Sequence, residues 1–312
     1  MMNMSRFANL TVAGSQQYED HGNETDRFPF AYASTRDPAT GKQDAIAKRP
    51  ETDPLIIHTQ TSTEYWQRRG SLVHTDPAGN DLPDLDNVRI YFWASSQHYA
   101  DPRTQKPGSG TFEYPTNIVQ TSFFFRALLD ALDRWATDGV APPPSQAPRR
   151  ADATLITKEE WRARFPPIPG VLTPNAPNDF DSPEAEAYTV LVPATDMDGN
   201  EIGGIRPPMV AAPLGTYTGW NIRSPGFGYG MMHGFNGSYI AFPGTPDEAT
   251  ATGDPREAIL SRYGSAAEYV ARVRTAAEQL IGNGFMLEED LERTIELAAD
   301  WGRPRHAVRL PT

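Results

Sequence analysis

Two side chains, Glu64 and His98, are of types that handle protons together. A carboxylate beside an imidazole fixes the ring's tautomer and stabilises its positive charge, and a ring so held can take the proton of a weak hydroxyl nucleophile. Each follows a stretch that reads as a β-strand. Glu64 comes after Leu55-Ile56-Ile57-His58-Thr59, apolar and β-branched behind Pro54, by way of the polar run Gln60–Thr63. His98 comes after Val88–Ala94, nearly continuous in large apolar side chains except for Arg89, as in a strand covered on both faces. Loops past the carboxyl ends of such strands are where open α/β sheets place their ligand crevices. Taken singly, His98 also reads as an ordinary loop residue and Glu64 as a first-turn acid favoured by the helix dipole.

Other clusters point to less chemistry. Asp196-Met197-Asp198-Gly199-Asn200-Glu201 has the acids of a calcium loop, but its glycine stands fourth rather than sixth and no glutamate stands twelfth, so it reads as a hairpin turn. Gly226-Phe227-Gly228-Tyr229-Gly230 lacks the strand before and helix after that a phosphate loop needs, and reads as an aromatic loop. His21, His58, His74, His233 and His306 are scattered without His-x-x-x-His spacing, which gives a metal site no support. With no cysteine, thiolate nucleophiles, disulfides and Cys-type metal sites are excluded, and the compartment stays undecided. Acidic residues outnumber basic ones by 40 to 28, a net charge of −12, with Lys and Arg scattered, so a nucleic-acid partner lacks its electrostatic footprint.

The elements that must position Glu64 and His98 follow from the chain around them. Length, 312 residues, suits two domains or one with an appendage. The 29 prolines and 25 glycines, about 17 percent together, indicate a folded but loop-rich protein. Residues 9–54 are polar and turn-rich, with Phe28-Pro29-Phe30 as an isolated apolar anchor. Ser62 or Thr63 is placed to cap a helix over Glu64–Arg69, acid first and bases last. An amphipathic helix is expected from about Asn117 to Thr137, with Leu128, Leu129, Leu132 and Trp135 on one stripe. Val140-Ala141-Pro142-Pro143-Pro144-Ser145 is a stiff connector. Beyond it, Tyr188–Pro193 and Glu201–Arg206 form a hairpin, Asp254-Pro255 opens one helix, Ala266–Ile281 makes another and Glu288–Asp300 a third. No stretch is long and apolar enough to span a membrane, and Met1–Ala8 has neither the basic nor the apolar region of a signal peptide.

Several segments, taken in order, resemble the esterase-like alpha/beta-hydrolase-domain proteins. They are His58-Thr-Gln-Thr-Ser-Thr-Glu64-Tyr-Trp66, Ser71–Asp76, Asn87–Tyr91, Gln97-His98, Ala131–Trp135 through Gly139–Ser145, Pro213–Asn221, Asp254–Arg256 and Arg262-Tyr263. The resemblance implies an α/β fold, an incomplete α/β-hydrolase fold made of the last strands and helices of the sheet with a C-terminal α+β accessory segment. It implies three regions: a lid-like polar insert over 1–54, the C-terminal part of the hydrolase core over 55–141, and an accessory hairpin and helical segment over 146–312. Glu64 looks like the triad acid after strand seven and His98 like the base after strand eight, the order acid then histidine that closes such a triad.

Asn3–Ala8 looks like a family segment just beyond strand six, which sets an expectation about the nucleophile. The sequence holds no Gly-x-Ser-x-Gly elbow, and Ser15, Ser71, Ser109 and Ser238, each beside a glycine, read as turn residues. The chain is therefore expected to carry acid and base but neither nucleophile nor oxyanion hole, and to be inactive alone, since losing the nucleophile costs about a millionfold in turnover. When completed, the site would act on a small-molecule ester without a cofactor. The completing sequence would come from upstream or from a complementary N-terminal chain, and a non-catalytic relic or binding protein is the alternative.

Overall fold

The computed structural model describes residues 28–98, 110–175, 177 and 187–301. Strands β1 (Thr35–Arg36) and β2 (Gln43–Asp44) make a small antiparallel ribbon. The principal pair is β3 (Ile56–Thr61) beside β4 (Val88–Trp93), parallel and in register from Ile56 against Val88 to Thr61 against Trp93. Between them runs helix α1 (Ser62–Gln67), which starts directly from β3. Parallel register brings the carboxyl ends of both strands to one edge, so the residues after Thr61 and after Trp93 emerge side by side.

β4 alternates as a strand buried on both faces should. Val88, Ile90 and Phe92 face Tyr32, Val73, Ala147, Tyr65, Leu155 and Leu191. Tyr91 and Trp93 face Phe123, Phe124 and Leu128 of α2 (Ser122–Asp138), with Trp93 stacked on Phe124 at 4.2 Å between ring centroids. Helix α2 begins five residues later than Asn117, because the Asn117 side chain is spent on loop carbonyls instead. Its buried stripe runs Phe124, Leu128, Ala131, Trp135, and Leu129, expected on that stripe, is 69% exposed. Gly139, left-handed at φ 71°, stops the helix by donating its N–H to the Arg134 carbonyl.

The rest of the described chain wraps this pair in short pieces: β5 (Leu155–Ile156), α3 (Lys158–Arg164), β6 (Val192–Pro193), α4 (Pro208–Ala211), β7 (Gly215–Tyr217), β8 (Tyr239–Ala241), α5 (Pro246–Thr252), α6 (Ile259–Tyr263), α7 (Ala266–Gly282) and α8 (Leu291–Trp301). The expected hairpin over 188–206 is reduced to a single bridge between Thr195 and Glu201. Its flanks pair elsewhere: β6 with β5, and Ile205 with β4, donating its N–H to the Phe92 carbonyl at 2.8 Å and accepting from Ala94 at 2.9 Å. Gln146 takes the next position along the same edge of β4, accepting from Phe92 and donating to Ile90, each at 2.9 Å. Among the described residues no strand pairs the other side of β3, whose Ile56, Ile57, His58 and Thr59 are half-buried.

Asp254-Pro255 does not open a helix. Asp254 instead pairs with the buried Arg256, whose guanidinium also donates to the carbonyls of Ile240 and Ala241 and to Thr216 Oγ1. The helix begins at Ile259, and α5, preceding it, is signalled by Thr245-Pro246-Asp247-Glu248, an N-cap threonine followed by an N1 proline. Of the polar N-terminal segment, Tyr32, Ile46 and Ala47 pack on Val88, Ile90 and Ile56, the end of the strands away from Glu64 and His98. Among the described residues no helix is long and apolar enough to cross a membrane.

Candidate active site

Glu64 is placed by the way α1 starts. Thr61 takes the extended conformation of an N-cap at φ −104° and ψ 173°, displacing Ser62 and Thr63 from that expected role. Glu64, three residues on, folds back so that its Oε2 accepts from the Thr61 backbone N–H at 2.6 Å and from the Thr61 hydroxyl. The helix ends at Gln67, with Arg69 left-handed at φ 54°, so the two arginines read as its last turn lie past it.

The second oxygen of Glu64 points at the neighbouring strand end. Its Oε1 is hydrogen-bonded to His98 Nδ1, which donates. The His98 backbone N–H donates to Thr63 Oγ1 at 3.1 Å, and that hydroxyl donates to the Gly219 carbonyl at 2.9 Å. The ring leans on Phe235, centroids 4.7 Å apart, and the Arg68 guanidinium lies over the same Phe235 ring, 4.2 Å from its centroid. Phe235, left-handed at φ 62°, is held by its N–H donating to Gln67 Oε1 at 2.8 Å, while Gln67 Nε2 donates to the His233 carbonyl at 3.2 Å. Burial pushes the Glu64 carboxyl up, but the hydrogen bond and charge of His98 and the two donors of Thr61 outweigh it and hold the pKa below the usual range. Glu64 is therefore ionised at neutral pH.

The strand ends themselves are braced by groups that the sequence did not single out. Ser95, left-handed at φ 56°, donates its N–H to Glu201 Oε2, accepts the Glu201 N–H at its Oγ at 2.8 Å, and accepts Asn117 Nδ2 at its carbonyl at 2.8 Å. Ser62 donates its hydroxyl to Glu201 Oε1. Gly219 packs so closely on this turn that a β-carbon there would lie 2.2 Å from Ser62 Oγ and 2.3 Å from the Ser62 carbonyl carbon. Gln97 Oε1 accepts the Gly237 N–H at 2.9 Å. Only the turn chemistry before Glu201 hinted at this part of the site, and it pointed to a hairpin.

The remaining sequence candidates are placed elsewhere. Ser71 is buried, its hydroxyl oxygen accepting the Leu191 N–H, and Ser238 donates its hydroxyl to the Trp220 carbonyl. Ser15 and Ser109 lie outside the described residues. His58 Nδ1 is hydrogen-bonded to the Tyr32 hydroxyl at 2.9 Å, and its pKa is pushed down by burial to about 4. His74, buried with a pKa pushed down to about 3, is paired with the Tyr65 hydroxyl at 2.7 Å. In the 196–201 turn, Asp196 and Asp198 are taken by Arg206 and Arg262.

Glu64, in the first turn of the helix after β3, and His98, on the loop after the adjacent parallel strand β4, thus meet at one edge of the sheet. The family described as alpha/beta hydrolase domain matches residues 13–296, and the chain belongs to it. Comparison with the curated proteins and with the solved structures gives no match. Membership places the protein among domains of hydrolase type, here with mixed helices and small sheets.

Proposed function

We propose that the protein is the part of a serine ester hydrolase that supplies the acid and base of the triad, Glu64 and His98. The observation that carries this reading is the hydrogen bond from His98 Nδ1 to the Glu64 carboxylate. A ring protonated on Nδ1 presents Nε2 as the proton acceptor. In the reaction, Nε2 takes the hydroxyl proton as the serine oxygen attacks the ester carbonyl, Glu64 stabilises the imidazolium without taking its proton, and the ring then protonates the departing alkoxide. Water repeats the sequence to release the acid. No cofactor enters these steps, and the substrate class is a small-molecule ester.

The nucleophile and oxyanion donors belong to polypeptide outside these 312 residues, since no Gly-x-Ser-x-Gly occurs among them. The side of β3 opposite β4, half-buried and unpaired by any strand among the described residues, is where the preceding strands of the sheet would join. In this reading residues 55–141 complete the hydrolase core and 146–312 are accessory to it.

The test is labelling by a fluorophosphonate probe. The chain alone is expected to stay unlabelled. Co-expression with a polypeptide that carries the elbow motif is expected to restore labelling, and both Glu64→Gln and His98→Gln to abolish the restored signal. A serine of this chain labelled by itself overturns the external nucleophile. Labelling of the assembly that neither variant reduces overturns the roles of the pair, and no labelling of any combination favours a non-catalytic relic.

A further inference from the structure

We infer that Glu201 is a positioning residue for the Glu64–His98 pair, a carboxyl strut between the two strand ends from which acid and base emerge. The inference rests on the reading of that pair given above. One carboxyl oxygen receives the hydroxyl of Ser62, two residues before Glu64, and the other receives the backbone N–H of Ser95, three residues before His98. The Glu201 backbone adds a third tie by donating to Ser95 Oγ at 2.8 Å.

Ser95 is where such a strut is needed. A left-handed serine at φ 56° costs about 1–3 kcal/mol and persists only when its surroundings hold it there. All three of its polar groups are engaged: N–H and hydroxyl by Glu201, carbonyl by Asn117. That unusual backbone turns the chain at the end of β4, so that His98 comes back toward Glu64 instead of continuing along the strand. Asn117 extends the brace by donating also to the Thr218 carbonyl at 2.8 Å, beside the Gly219 that packs on Ser62.

The residue type supports the same conclusion. Glu201 is 3% exposed, and burying an ionisable group where an apolar one would pack equally well is costly. Burial pushes its carboxyl up to about 8, with the Ser62 and Ser95 hydrogen bonds pulling the other way. As a neutral acid the group keeps one oxygen accepting from Ser95, and its hydroxyl donates to Ser62 Oγ, reversing the hydrogen bond that the ionised carboxylate accepts from Ser62. Glutamine reproduces that pattern, its carbonyl facing Ser95 and its amide facing Ser62 Oγ. Aspartate, a methylene shorter, does not reach both.

The test uses the chain by itself, labelled with nitrogen-15 histidine, and reads the downfield Nδ1–H proton of His98, assigned by its loss in His98→Gln. The parent is expected to show this signal and Glu201→Gln to retain it. Glu201→Ala and Glu201→Asp, folded as judged by unchanged far-ultraviolet dichroism, are expected to lose it to exchange with water. If the alanine variant does not fold, Glu201→Asp and Ser62→Ala, each expected to weaken or remove the signal, carry the test. A folded alanine or aspartate variant with the parent's signal overturns the strut, as does its loss in a folded Glu201→Gln. Absence of the signal from the parent overturns the Glu64–His98 pair itself, and the strut with it.

Discussion

Replacing Glu201 by glutamine should change how stability depends on pH while leaving the fold intact. The folded carboxyl titrates at about 8 against an ordinary 4.5. Between those values the folded state holds a proton that the unfolded chain has lost. Unfolding then releases a proton, and stability falls as pH rises, by up to about 1.4 kcal/mol per unit. The contribution is complete below about 4.5, declines through the neutral range, and levels off once the buried carboxyl ionises above about 8. From pH 5 to pH 7 the parent should lose on the order of 2–3 kcal/mol that the glutamine variant keeps. At 3% exposure, solvent screening does not reduce this figure appreciably. Urea unfolding of both proteins at pH 5, 6, 7 and 8 isolates the effect, because every other titrating group cancels in the difference, and equal m-values confirm that the same surface is exposed. A difference in stability that stays constant across those pH values would refute the buried neutral acid.

The other perturbations act on different parts of the structure. Glu64→Gln, measured in the assembled hydrolase, should lower turnover on the order of ten-thousandfold by removing the partner that fixes the imidazole tautomer. Because the Glu64 pKa is depressed, its contribution to stability exists above its unfolded pKa and is lost as pH falls through the folded value, so the stability gap between parent and Glu64→Gln should narrow in acid. Gly219→Ala drives a β-carbon into the Ser62 backbone and should cost about 1–3 kcal/mol or more in urea unfolding, with loss of the His98 Nδ1–H signal. Trp93→Ala, which empties the stack on Phe124, should cost about 3–5 kcal/mol, whereas Leu129→Ala on the exposed side of α2 should stay within about 0.5 kcal/mol.

The parts of the fold legible in the sequence are those where one local pattern and one packing partner agree. The apolar run Val88–Trp93 and the shorter Ile56–Thr59 are continuous enough to read as strands, and the polar residues after them mark where Glu64 and His98 leave the sheet. α7 was equally plain from Ala266 onward, with Ser265 capping it. Where tertiary contacts compete with local preference, the reading fails. Asn117 has a helix-compatible neighbourhood, but its amide satisfies two loop carbonyls, so α2 starts at Ser122. Thr61 takes the cap expected of Ser62 or Thr63, because Ser62 is committed to Glu201, 139 residues away. The 188–206 hairpin shrinks to the Thr195–Glu201 bridge for a similar reason, since β5 and β4 offer its flanks longer-range partners. Glu201 is read from the sequence only as part of a turn, because its partners are a strand end and a helix start, neither near it in sequence.

The two oxygens of Glu64 hold separate offices, one closing the first turn of α1 on Thr61 and the other steering His98. In the proposed reading, local folding and proton handling are thus written into the same codon. A drifting sequence that no longer needed hydrolysis would still be under pressure to keep this acid for the sake of its helix, whereas the histidine opposite would be free to change.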